Sequence, residues 1–364
     1  MQEIDIQELL APDTFRLGSA EDRKGGTGCT VLVFPKSAPC AVDVRGGGPA
    51  SRESELLSPM AAASGIHAIL LSGGSAFGLN AATGVMTYLE EQGIGFETRI
   101  AKVPLVVASC IFDLGCGDDV RPDAAMGYAA CDAAFNGTFR EGCYGAGTGA
   151  TVGKLCGPDY MMKSGVGAYA VSVGDLKVCA IVVVNAVGDV LRESGEILSG
   201  MRSRDGKGFA DTRRVMLEEA GITPTLFSQR AVGTTTNTTI GAIVTNGRFD
   251  KAQLKKIAAL GSNGMVRTIR PVNTTADGDS LYAASIGTVS AEISLTGTLA
   301  AYAVEQAVRR AVLQAEPMYG IPLPSIESAK GLGAALFQRI IIFVILKGSS
   351  VQLYIFYQVV FCNV

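Results

Sequence analysis

Four stretches of this chain are apolar at nearly every position over a strand's length: Cys29–Phe34, Ile66–Leu71, Val178–Asn185 and the segment from Ile240 to Val244. Successive residues of a strand point to opposite faces, so a strand without a polar set must be covered on both sides. Such strands fit a layered body with sheets inside and helices outside. The chain also supplies the helices. Phe77, Leu79, Ala81, Ala82, Val85, Met86 and Leu89 recur at helical spacing, with Ser75 at a capping position and Gly93 at the end. Met126–Phe135 reads as a short, Ala-rich helix. Asp250 and Gln253 form a capping box for a helix expected to run to about Leu260, and Thr298–Val312 carries an apolar helical face. Residues 110–126, with Asp113, Asp118, Asp119 and Asp123, read as a solvated loop, and residues 199–230 as a polar, helix-containing excursion. No linker or repeat divides the chain, so residues 1–330 are expected to form one domain.

The charge balance is near neutral: Lys plus Arg is 31, Asp plus Glu 34 and the net charge -3, which offers no electrostatic footprint for nucleic acid. His67 is the only histidine and lies inside an apolar strand. A Ser-His-Asp triad and most metal sites need an imidazole, so His67 reads as a core residue. The nine Cys are odd in number and include no C-x-x-C. With no basic-then-apolar opening after Met1, the expectation is a cytoplasmic chain with free thiols. The Gly145–Gly153 segment is read equally as a tight crossing of layers or as backbone N–H groups lining a site. Residues 331–364 differ from the rest. Their apolar runs, Ile340–Leu346 and Val351–Tyr357, are each shorter than the ~20 residues a membrane helix needs. They read as an adventitious tail and an aggregation hazard, with membrane attachment the lesser alternative.

Without a usable imidazole, a nucleophile needs another base. A Thr or Ser exposed at a new N-terminus uses its own α-amino group, whose ordinary pKa of ~7.7–8.0 suits neutral pH. Its chain should lead directly into a buried strand that holds it. Asn237-Thr238-Thr239-Ile240-Gly241-Ala242-Ile243-Val244 meets that requirement, although Thr-rich strand starts are common in other settings.

The sequence resembles the DmpA-type aminopeptidases, the L-aminopeptidase/D-esterase and β-peptidyl aminopeptidase group, from about Ile4 to Ile321. The resemblance is carried by Gly26–Val31, Asp43–Pro49 with Arg52-Glu53, His67–Leu79, Arg121-Pro122-Asp123, Gly145–Gly149, Asn237-Thr238-Thr239 and Asp277-Gly278-Asp279. It implies an α/β fold of the Ntn-hydrolase kind, a four-layer α/β/β/α sandwich shared with ornithine acetyltransferases. It also implies self-cleavage between Asn237 and Thr238, giving an α chain (1–237) and a β chain (238–330). Thr238 is then the nucleophile, with Thr239 the alternative one register away. Asn185 is the implied oxyanion donor. Asp279 matches the family's acid, and Asp277 stands where some members have Ser. A Tyr that assists the oxyanion in some members has no counterpart in register; Tyr144 is near but does not match. The activity implied is aminopeptidase or amidase hydrolysis of small peptides, amides or esters. No metal or cofactor is called for, and a homo-oligomer, often a tetramer in the family, is the implied assembly. The alternatives are an acyltransferase of the ornithine acetyltransferase type and an unprocessed, non-enzymatic relative.

Overall fold

The apolar strands assemble into two sheets stacked face to face, in a computed structural model that describes residues 1–11, 13–137, 139–218, 237–323, 341–347 and 350–356. One sheet has six strands, in the spatial order Gln2–Ile4, Val166–Val173, Leu176–Asn185, Thr238–Gly247, Ser280–Val289 and Cys40–Val44. The other has five, ordered Arg16–Asp22, Thr27–Ala38, Ile66–Ser72, Val106–Cys110 and Ala50–Arg52. The period-two rule splits each central strand between two cores. Val178, Ala180, Val182 and Val184 pack with the helices α4 (Lys251–Thr268) and α5 (Ile293–Leu313). Cys179, Ile181 and Val183 instead meet Leu32, Phe34, Ile69 and Leu71 of the second sheet. That sheet's other face packs on α1 (Ala81–Glu91) and α2 (Ala124–Asn136). The expected α/β/β/α order of layers is the observed one.

Glycines set the closeness of the outer layers. A Cβ on Gly84 of α1 would lie 1.7 Å from the Ala124 carbonyl oxygen, and one on Gly127 of α2 would lie 1.9 Å from that of Ala81. The same logic extends α4 beyond the expected end near Leu260. Its Asp250–Gln253 capping box forms as read, but the helix continues to Thr268. Gly264 lets its backbone approach α5, where a Cβ would sit 2.3 Å from the Ala301 oxygen. Tertiary contact here overrides a local helix-breaking signal.

Three other local readings change. Ser75 does not cap α1: it opens a 3-10 turn, Ser75–Asn80, and its φ is +54°. Asp123 is exposed as read, yet it is no plain loop residue: it caps α2, accepting from the Met126 N–H. Asp113 is buried, where a solvated loop was expected. It accepts from the Thr27 hydroxyl at 2.7 Å and the Gly74 N–H at 2.6 Å. His67 is a core residue as read: its Nδ1 accepts from the Leu105 N–H at 3.1 Å. In the polar excursion, α3 spans Thr212–Glu218; residues 219–236, including the first part of the Thr-rich run, lie outside the described residues.

The chain divides into Met1–Leu323 and Pro324–Val364. In the second unit, strand Ile341–Lys347 pairs antiparallel with Ser350–Phe356. Among the described residues no helix is long and apolar enough to cross a membrane.

Candidate active site

The residues singled out at the sequence level meet at one end of the six-stranded sheet. Strands Leu176–Asn185 and Thr238–Gly247 run antiparallel, and their register sets Asn185 opposite Thr238. Both residues share the parity of side chains that face the second sheet, so both project between the sheets at the rim. Thr239 has the opposite parity, and its hydroxyl is buried without a hydrogen-bond partner among the described residues. The neighbouring strand Ser280–Val289 runs parallel to Thr238–Gly247 and carries Asp277-Gly278-Asp279 in the turn before it.

Thr238 is 4% exposed. Its Oγ1 donates to the Asn237 carbonyl oxygen, the carbonyl of the bond expected to break. The Gly278 N–H reaches the same hydroxyl at 3.2 Å and that carbonyl oxygen at 3.1 Å. Asp279 accepts from the Thr239 N–H at 2.5 Å and from the Asn273 N–H at 2.9 Å. Asp277 accepts from the Thr274 N–H at 2.8 Å and the Thr274 hydroxyl at 2.5 Å. Burial, with Asp277 close by, pushes the Asp279 carboxyl up to about 7. Burial also raises Asp277, against the hydrogen bonds from Thr274.

The sequence reading missed Lys154. Its Nζ lies 2.7 Å from Asn185 Oδ1 and 3.0 Å from the Asn185 carbonyl oxygen. Burial brings this ammonium down to about 7, opposed by Cys116 and by the carboxylates Asp277, Asp113 and Asp279. Asn185 Oδ1 also accepts from the Thr151 N–H at 3.1 Å and the Thr151 hydroxyl at 3.3 Å, so three donor groups fix the amide's orientation. Its Nδ2 donates to the Phe112 carbonyl at 3.0 Å, and its second N–H has no partner among the described residues. The glycine-rich segment therefore both crosses layers and lines the site, since it delivers Thr151 and Lys154. Only its glycines pointed there; a single Lys beyond them carries no spacing signal. Tyr144 has the guanidinium groups of Arg23 and Arg140 over its ring.

A hydroxyl against a peptide carbonyl, buried carboxyls, an ammonium near neutrality and a fixed amide make an arrangement suited to acyl transfer. Comparison with known proteins agrees. The pattern of peptidase family S58 matches residues 13–322. An uncharacterised aminopeptidase of Mycobacterium leprae (strain TN) is 36% identical over 352 residues, 87% of this chain and 91% of that protein. A 6-aminohexanoate-oligomer endohydrolase of Kocuria sp. (strain KY2) is 35% identical over 268 residues, covering 73% and 71%. Among solved structures, the L-aminopeptidase D-Ala-esterase/amidase of Ochrobactrum anthropi, a variant of the Ntn-hydrolase fold, aligns with a TM-score of 0.63. That alignment is at 17% identity and covers 88% of this chain and 91% of that one. A Burkholderia sp. beta-aminopeptidase aligns with a TM-score of 0.62 at 19% identity, covering 88% and 92%.

Proposed function

Because the chain belongs to peptidase family S58 and is a hydrolase of peptide or amide bonds, we propose that it is a self-processing N-terminal-nucleophile enzyme acting through Thr238. The observation that carries this reading is the contact of Thr238 Oγ1 with the Asn237 carbonyl at the head of a buried strand. In self-cleavage Oγ1 bonds to the Asn237 carbonyl carbon and the Asn237–Thr238 C–N bond breaks. The hydroxyl proton passes through the acid–base groups of the site to the departing Thr238 nitrogen. Water then hydrolyses the ester, giving an Asn237 carboxylate and a free Thr238.

The new α-amine becomes the base for turnover. Thr238 Oγ1 attacks the substrate carbonyl, the amine takes its proton and then protonates the leaving amine, and water clears the acyl-enzyme. The free N–H of the Asn185 amide serves the oxyanion, held in orientation by Lys154 and Thr151. Asp279 holds the Thr239 N–H, which keeps the first residues of the β chain in place. Asp277 and Asp279 stabilise the ammonium that forms once the amine has taken the Thr238 proton. The substrates proposed are small peptides, amides or amide oligomers, with the assembly a homo-oligomer in the cytoplasm.

Intact mass of the purified protein beside a Thr238→Ala variant tests the reading. Scaling 37.7 kDa by residue number, a cut at Asn237 gives pieces of roughly 24.5 and 13 kDa, the smaller opening with Thr238, and the variant stays whole. A wild-type chain that stays whole, or one cut elsewhere, overturns it.

A further inference from the structure

We infer that the backbone N–H of Gly278 is the oxyanion donor of the self-cleavage step, a duty distinct from that of the Asn185 amide. This rests on the reading of Thr238 as a self-cleaving nucleophile. As Oγ1 adds to the Asn237 carbonyl carbon, negative charge collects on that carbonyl oxygen before the C–N bond breaks. The Gly278 N–H already points at that oxygen from 3.1 Å, at the edge of the ~2.7–3.1 Å an oxyanion donor needs. Asn185 does not: its amide donates to Phe112, and no bond joins it to Asn237 among the described residues. The Asn237 side-chain amide is buried with no hydrogen bond among the described residues either, so the site grips this residue by its carbonyl.

The donor is held from both sides. Within the turn, the carboxyls of Asp277 and Asp279 are each tied to backbone N–H groups. From outside, the Arg45–Gly48 loop clamps the turn's own carbonyls: Gly48 N–H donates to Asp277 O at 2.9 Å, and Arg45 and Gly46 N–H donate to Asp279 O at 3.0 and 3.2 Å. Arg45 anchors that loop through Asp43 at 2.7 Å and the Ala259 carbonyl at 2.6 Å. The packing leaves no room for a side chain. A Cβ on Gly46 would lie 2.3 Å from the Asp279 nitrogen, and one on Gly278 would lie 2.8 Å from Thr238 Oγ1. A donor fixed this way needs no reorganisation when the charge develops.

Replacing Gly278 by glycolic acid through nonsense suppression turns its N–H into an ester oxygen and leaves the shape unchanged. Self-cleavage of the full chain is then expected to slow by about 10²–10³-fold, the scale of losing one oxyanion donor. The same change at Gly47, whose N–H donates to Thr274 O at 3.2 Å one loop away, is expected to leave the rate nearly unchanged. A Gly278 ester that cuts as fast as wild type, or equal slowing at both positions, overturns the inference. If the ester chain fails to fold, amide exchange decides. The Gly278 amide should exchange more slowly in the uncut Thr238→Ala chain than in cut wild type, where its acceptor has left; equal exchange in the two overturns the inference. A wild-type chain that never cuts removes the underlying reading instead, whereas one that cuts alongside an equally fast ester removes only the role of Gly278.

Discussion

Two buried carboxyls at the same end of the six-stranded sheet, Asp189 and Asp279, show how one residue type is put to different uses. Asp189 lies four residues beyond Asn185. It accepts from the Met201 N–H, the Thr212 N–H and the Thr212 hydroxyl, each at 2.7 Å. Burial raises it to about 6, partly offset by those bonds. It pins the 200–212 segment to the strand and touches no reacting atom. Among the described residues the Asp279 carboxyl accepts two bonds, and it sits beside a second carboxyl within the field of Lys154. Burial raises both, so burial and a shifted pKa do not separate them. The difference is in the neighbours: Asp189 answers a structural need for hydrogen bonds, while Asp279 stands with Asp277 in the turn that reaches the Thr238 hydroxyl.

That contrast can be broken at several points. The largest effect belongs to Thr238→Ala, which should leave the chain whole and lower any amidase activity by about 10⁶-fold, the scale of deleting a nucleophile; intact mass and turnover of a chromogenic amino acid anilide report both. Next is Asp279→Asn, expected to slow turnover by about 10²–10⁴-fold beyond any loss of folded protein. If its melting point falls as far as that of Asp189→Asn while its rate holds, the distinction between the two carboxyls collapses.

Lys154→Met removes a positive charge that holds Asp279 down. The Asp279 pKa should therefore rise, and the acid limb of the kcat/KM profile should move to higher pH; an unmoved limb would separate Lys154 from the cluster.

Asp189→Asn should disturb activity least. It places an amide N–H against backbone donors and should cost about 1–3 kcal/mol of stability by thermal or denaturant unfolding, while the folded fraction still cuts itself. It also carries a pH signature. The folded carboxyl keeps its proton up to about 6, above its ordinary 3.8, so it contributes stability at low pH that is lost as pH rises through about 6. The variant should flatten that part of the stability–pH curve, and an unchanged slope would mean that Asp189 does not titrate there.

Much of the fold was legible in the residues alone. Strands without a polar face require cover on both sides, and the split of Val178–Asn185 between two cores is that requirement met. The capping box at Asp250 formed because both its bonds are local. Asn237 and Thr238 stood out because they open a buried strand, whereas the Asp277-Gly278-Asp279 turn was marked only by the family resemblance. Local signals failed where the deciding neighbour was distant in sequence. Asp113 read as a solvated acid because nothing nearby announces Thr27 and Gly74 as its donors. The helix α4 outran its glycines because α5 needed them there. Lys154 was invisible because its meaning depends on Asn185, a strand residue 31 positions away. Sequence by itself determined the layers, the strand that presents Thr238 and the chemistry open to a chain with a single, core histidine. Tertiary structure alone decided the register that sets Asn185 opposite Thr238, the burial that shifts Lys154 and Asp279 toward neutrality, and the loop clamp that aims the Gly278 N–H. Each of these depends on distances between segments that only folding brings together.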